Sequence, residues 1–198
     1  MHWSRIAVLA ASCVLLTACT AAPQPSTPAP SATTPTPTFS CTPEAGGAAY
    51  ECSQFDYDQM IAKDKLYAEA EAVYRKFFAE NVRIYLDGGV AEPTAILMET
   101  TTGRFQRDSM SLYRALHDRR ARIVEGTPRL QTITRLPGIT REGSVATLAT
   151  CVDSSSVVLR GDSGYESRGL VISERFYFAK AGNSLKIQSS QWKELKSC

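Results

Sequence analysis

The chain has 198 residues with 22 Lys plus Arg against 20 Asp plus Glu, a formal charge of +2. That balance supplies no concentrated basic face with interleaved aromatics, so nucleic acid is excluded as a partner class. The length beyond Cys41 fits one domain that can bury a sizeable core without cross-links, so any disulfides are reinforcement.

At the N-terminus, Arg5 precedes the apolar run Ile6 to Leu16, and Leu16-Thr17-Ala18-Cys19 follows directly. A positive start, a short apolar stretch and small residues before a cut describe an export signal, and the run is too short for a permanent membrane span. The order resembles a bacterial lipoprotein signal. The resemblance implies removal of residues 1–18, a diacylglyceryl group on the Cys19 thiol, acylation of the freed amine, and attachment to the extracytoplasmic face of the cell membrane. Two or more chains make such an anchor stable where one does not. The alternative is an ordinary secretory signal cut near Ala21 or Ala22, which leaves a soluble exported protein.

Residues 19–40 follow as a lipidated cysteine and a tether, almost entirely Ala, Pro, Ser, Thr and Gln and ending in Thr34-Pro35-Thr36-Pro37-Thr38. Such a segment builds no core. About 20 residues at about 3.1 Å each, in the extended proline-rich form, reach roughly 60 Å from the anchor. Residues 41–198 form the single domain.

With Cys13 in the signal and Cys19 lipidated, Cys41, Cys52, Cys151 and Cys198 remain of the six cysteines. An even number in an exported chain points to disulfides. Four cysteines allow three pairings, among which spacing does not select. The expected pairs are Cys41 with Cys52, closing a small loop, and Cys151 with Cys198, clipping the C-terminus onto a strand. No CxxC pair is present and the histidines are His2 and His117 alone, so neither a metal site nor a cofactor is expected.

Asp56, with Gln59 in capping-box position, predicts the start of a long helix carrying Met60, Tyr67, Ala70, Tyr74, Phe77 and Phe78 on one side. It is expected to run to about Tyr85 and stop at Asp87-Gly88-Gly89. A short helix is predicted over Thr94 to Thr101, and a third after Asp108 through Met110, Leu112, Tyr113 and Leu116, fading in Arg119, Arg120 and Arg122. From Ile123 the texture turns to Thr, Val and Ile with frequent turn signals. Strands are predicted near Arg129 to Arg135, Ser144 to Asp153, Val157 to Arg160, Arg168 to Lys180 and Leu185 to Leu195. Helices first and strands after predict an α+β domain with N-terminal helices packed on a curved, mostly antiparallel sheet.

The stretch Tyr67-Ala68-Glu69-Ala70-Glu71-Ala72-Val73-Tyr74-Arg75-Lys76-Phe77-Phe78-Ala79-Glu80, with Cys151-Val152-Asp153 and the late Trp192, resembles small exported proteins of the nuclear transport factor 2-like cone fold, including actinobacterial lipoproteins. The resemblance spans roughly Asp56 to Lys196. It implies a long first helix closing a cone, with Tyr67, Tyr74, Phe77 and Phe78 facing inward and Trp192 on the last long strand. Tyr67, Tyr74, Phe77 and Trp192 are therefore candidate pocket residues. Enzymes of similar fold place acid–base residues inside the cone, but no position here carries over as catalytic.

Other candidate residues also suit plainer roles. Burial of Asp153 or Glu174 would raise its pKa and create a general base, although Asp153 before Ser154-Ser155-Ser156 suits a turn. His117 beside Asp118 at a helix end is favoured by the helix dipole in any case. The cluster Arg114, Arg119, Arg120 and Arg122 would suit an anionic partner or a solvated helix end. Arg160-Gly161-Asp162 is a short match to an adhesion tripeptide within a turn, and Gly161-Asp162-Ser163-Gly164 misses the nucleophile-elbow pattern.

These features predict a membrane-anchored envelope lipoprotein, more a binding module than an enzyme, whose partner is an envelope protein or a small apolar ligand. A homodimer through the outer sheet face is a further expectation. The alternatives are a small cone-fold isomerase or dehydratase, and a phage- or prophage-borne lipoprotein that excludes superinfection.

Overall fold

In the computed structural model, residues 37–43, 47–141 and 143–198 are described; the expected export signal, the expected lipidation site Cys19 and the expected tether up to residue 36 lie outside them. The long helix starts at a serine. α1 spans Gln54–Asp87 with Ser53 as its N-cap. The Ser53 hydroxyl accepts from the Asp56 N–H at 3.2 Å and donates to the Asp56 carboxylate at 2.6 Å. This corrects the start expected from Asp56 and Gln59. Asp56 is the third helical residue, and both its N–H and its carboxylate bond to the side chain of the N-cap Ser53.

α1 buries Tyr67, Ala70, Tyr74, Phe77, Glu80 and Ile84, a stripe at helical spacing. It ends where expected. Gly88 and Gly89 both hold φ of +86°, and a Cβ on Gly89 would stand 2.3 Å from the Tyr113 carbonyl oxygen, so only glycine fits this turn. α2, Ala95–Thr100, is capped by Thr94. α3 spans Gly103–Asp118, starting ahead of the expected Asp108. Its first turn is held from outside the helix, because the Thr102 N–H donates to the Ile187 carbonyl at 2.9 Å.

The strands are β1 Phe39–Cys41, β2 Tyr50–Cys52, β3 Arg122–Glu125, β4 Arg129–Arg135, β5 Ala146–Asp153, β6 Val158–Arg160, β7 Glu166–Arg168, β8 Val171–Ala181 and β9 Ser184–Leu195. Four of them form a sheet in the order β4-β5-β8-β9, three form β3-β6-β7, and β1-β2 is a small hairpin. The named strand pairs are antiparallel. The two larger sheets are successive stretches of one hairpin, since β5 runs on into β6 and β7 into β8. Between them the backbone bonds Ser154 N–H to Leu170 O, at 3.0 Å, and Gly169 N–H to Val157 O, at 2.9 Å, carry the pairing through a kink. A Cβ on Gly169 would meet the Ser154 carbonyl oxygen at 2.1 Å, and one on Gly126 the Ser156 oxygen at the same distance. The kink therefore needs glycine at both places.

The domain is α+β, with three helices and mostly antiparallel sheets, and no barrel closes among the described residues. Its core joins Tyr74, Phe77, Leu148, Phe176, Phe178 and Ile187. Ring pairs Tyr74–Phe176 at 4.8 Å, Phe77–Phe105 at 5.2 Å and Phe105–Phe176 at 5.7 Å bind both long helices to β8. Both expected disulfides form. Cys41–Cys52 closes the β1–β2 hairpin against the start of α1, and Cys151–Cys198 fastens the C-terminus to β5. No helix among the described residues is long and apolar enough to cross a membrane.

Candidate functional site

Side chains on a strand alternate between faces, so Leu148 and Thr150 on β5 share a face with Ile172, Glu174 and Phe176 on β8. That face meets the helices. The Tyr74 hydroxyl donates to Thr150 Oγ1 at 3.3 Å, and the Thr150 hydroxyl lies 3.4 Å from the Glu174 carbonyl it donates to. Register carries the row one strand further, with Thr150 opposite Glu174 and Glu174 opposite Trp192 on β9.

A hollow of about 750 Å³ opens over this row, between α1, α3 and the β8–β9 half of the sheet. Phe77 and Phe105 line its apolar part, Asn81, Tyr85 and Tyr113 the helix side, and Glu174 and Ser190 the sheet side. Its lip is open and sets exposed apolar residues beside the charged Arg104, Asp108 and Arg141. Leu112, Leu170 and Trp192 border it with 47%, 44% and 64% of their surfaces exposed, which gathers three of the domain's exposed large hydrophobic residues at one opening.

Electrostatics separate the groups in this hollow. Burial pushes the Glu174 carboxyl above the usual carboxylate range, and a hydrogen bond from Ser190 offsets part of that rise. No lysine or arginine among the described residues forms an ion pair with Glu174. Tyr85 is pushed up to about 12, chiefly by burial and further by the charges of Tyr165 and Glu174. Burial raises Tyr113 and Tyr74 as well, so these phenols stay protonated at neutral pH and act as donors. Tyr113 already donates to Asn81 Oδ1 at 2.7 Å.

A second hollow, of about 700 Å³, lies between the first turns of α1, the disulfide hairpin and the end of β4. Arg135 borders it, lies 5.8 Å over the Tyr67 ring and bonds to both Asp64 and Glu71, the latter at 2.6 Å. Its basic group is thus neutralised from two sides.

The four candidate pocket residues are divided among these places. Phe77 and Trp192 border the hollow over Glu174, Tyr67 borders the second, and Tyr74 is 1% exposed in the core between them. Asp153 takes the turn role, since it accepts from the Ser155 hydroxyl at 2.7 Å and the Ser155 N–H at 2.9 Å, which hold its carboxyl below the usual range. His117 is exposed, with Nδ1 3.4 Å from Asp118. Arg114 bonds to the Ala91 carbonyl, Arg119 to the Ala115 carbonyl and Arg120 to Asp162, so three of that cluster's four arginines turn to separate local partners. Arg160 pairs with Glu166 and Glu125, which together with the Arg120–Asp162 pair occupies both charged ends of the Arg-Gly-Asp tripeptide. Among the described residues no group of three or more His, Cys, Asp or Glu could hold a metal ion.

Tyr85, Phe105, Tyr113 and Ser190 complete the hollow and are not singled out by sequence. They converge from three elements whose approach is set by the fold. Together they define an α+β domain stapled by disulfides, with a half-open, aromatic-lined hollow over the Glu174 carboxylate. The sequence matches no protein-family model, and no curated protein matches it.

Proposed function

We propose that the protein is an exported lipoprotein, anchored at the extracytoplasmic face of the cell membrane through Cys19, whose domain binds a small ligand with an apolar body in the hollow over Glu174. The helices and kinked sheet are taken as a nuclear transport factor 2-like cone, with the hollow as its mouth. The observation that carries this proposal is the gathering of three exposed apolar residues, Leu112, Leu170 and Trp192, at the opening of a cavity of about 750 Å³, large enough for a small molecule. The tether positions the domain, and the lipid supplies the address.

Native mass spectrometry of the protein purified gently from its envelope tests both halves. The expected result is a chain starting at acylated Cys19 and releasing a stoichiometric small molecule. A start near Ala21 or Ala22 without lipid sinks the anchor, and a wild-type chain with no cargo and no response to apolar probes sinks the binding role.

A second reading has one observation in its favour. Glu174 lies in the same hollow as the protonated phenols of Tyr85 and Tyr113, a carboxylate beside hydrogen-bond donors that suits proton transfer in an isomerase or dehydratase. Turnover of the released molecule by wild type and not by Glu174→Gln would establish it. Binding without turnover in both proteins would end it.

A further inference from the structure

We infer that the hollow selects an organic cation: an amine or quaternary ammonium group held between the Glu174 carboxylate and the Trp192 ring, with its apolar body against Phe105 and Leu112. This rests on the proposal that the hollow binds a small ligand, and adds the chemical class of that ligand.

Three observations point to positive charge. Glu174 is a half-buried carboxylate whose hydrogen-bond partner is the neutral Ser190, and no basic side chain among the described residues forms an ion pair with it. Of the arginines that border the hollow, Arg104 pairs with Asp108 at 3.2 Å, and Arg141 lies 5.4 Å from the ring of Tyr177, a residue out of phase with Glu174 on β8. Directly across the strand pair, Trp192 shares Glu174's face and remains 64% exposed. Opposite residues on one face of an antiparallel pair hold their Cβ atoms about 5 Å apart, so a single group can touch carboxylate and indole together.

A cation at that point gains twice. It restores the ionic partner that burial denies Glu174, and it meets the electron-rich face of an aromatic ring, the geometry that recognises ammonium groups elsewhere. An anionic group at that point would face the Glu174 carboxylate directly. A neutral ligand would leave the carboxylate's charge unanswered and gain only the apolar contacts.

Sequence provides the reporter. The chain has two tryptophans, and Trp3 lies in the export signal, so in a Trp3→Phe chain the emission of Trp192 alone is read. The full chain with that substitution, held in zwitterionic phosphatidylcholine nanodiscs that attract no cation by charge, is titrated with 4-phenylbutylamine, 4-phenylbutanol and 4-phenylbutyrate. The expected order is amine tightest, by about tenfold or more over the alcohol, and the acid weakest. Glu174→Gln should bring the affinities for amine and alcohol together.

Equal binding of amine and alcohol, or preference for the acid, overturns the charge selectivity and leaves the binding hollow standing. No Trp192 response to any of the three probes overturns both. The wild-type comparison does not depend on any variant folding. An amine preference that survives in Glu174→Gln overturns the assignment of Glu174 as its source.

Discussion

Glu174 and Trp192 stand directly opposite one another across β8 and β9, and a register shift puts them there. From the turn, Ala181 faces Ser184 and Phe178 faces Ile187 in step, but Tyr177 faces Ser189. Without that bulge Gln191 would oppose Glu174, and Trp192 would point to the other face of the sheet, because a one-residue slip exchanges faces. The bulge therefore brings the indole to the carboxylate. Bulges recur where a side chain is re-aimed at a site.

Glu174 should lower stability as it ionises. Its folded pKa is raised by burial, whereas an unfolded glutamate titrates at about 4.3. Between those values the folded state holds the extra proton, so stability is fully present below the unfolded pKa and falls as pH rises through the folded one. The groups facing Glu174 are Tyr74 and Tyr85 from α1, and Tyr113 with the Arg104–Asp108 pair from α3; the phenols stay neutral throughout this range. Glu174→Gln should accordingly melt above wild type at pH 8 and level with it at pH 4. A melting difference independent of pH would contradict this.

The hydroxyl chain Tyr74–Thr150 gives a second test. Tyr74→Phe removes a buried donor together with its bond and should cost about 1 kcal/mol. Thr150→Val strands the Tyr74 hydroxyl in the core and should cost more, about 1–3 kcal/mol. The double variant should cost less than the sum of the two, as urea denaturation of all four proteins will measure. Strict additivity would mean that the two hydroxyls do not act together.

Much of the architecture follows from local pattern. The stripe of α1, its stop at Gly88-Gly89 and the five later strands are periodic signals bounded by turn residues. β3 is hidden because Arg119, Arg120 and Arg122 read as a helix end, and Ile123 is its one buried residue. β7, Glu166–Arg168, has no apolar residue at all and is held by pairing with β6. Of the two candidate carboxylates, parity alone distinguishes the site. Glu174 is in phase with Phe176 and Phe178, whereas Asp153 is in phase with Cys151 and out of phase with Leu148 and Val152. Trp192 was not legible as its neighbour, because the bulge leaves no local signature in the sequence. Tyr85 and Tyr113 reach the hollow only through the crossing of α1 and α3, and no local pattern encodes that distance.

At Gly169 the kink between the sheets should depend on steric room and not on backbone freedom. Gly169 has no positive φ, so Gly169→Ala tests the 2.1 Å approach to the Ser154 oxygen alone. Overpacking of this kind costs about 1–3 kcal/mol or more. Gly182 is the converse, with φ of +63° and nothing within 4 Å of an added Cβ, so Gly182→Ala should cost only the left-handed backbone penalty of about 1–2 kcal/mol. Besides its larger cost, Gly169→Ala should disturb amide resonances on both β5 and β8, and Gly182→Ala only those at the turn. Equal and local spectral changes would show that the kink relaxes freely.

The two disulfides should contribute unequally, and through the unfolded chain. Cys151–Cys198 spans a sequence separation of 47 and Cys41–Cys52 one of 11. Loop-closure entropy assigns about 4 kcal/mol to the longer loop and about 3 kcal/mol to the shorter, as upper values for intact native geometry. The structural consequences differ more than the energies. Releasing Cys198 frees a C-terminal end that follows directly on β9, whose strand carries Trp192 to the hollow, whereas releasing Cys41 frees a hairpin against the first turns of α1, beside the second hollow. Cys151→Ser with Cys198→Ser should therefore lower stability by about 2–4 kcal/mol and weaken probe binding reported by Trp192. Cys41→Ser with Cys52→Ser should lower stability and leave that binding intact. If both pairs of substitutions leave Trp192 binding unchanged, the β9 edge is held by its pairing with β8 and not by the disulfide.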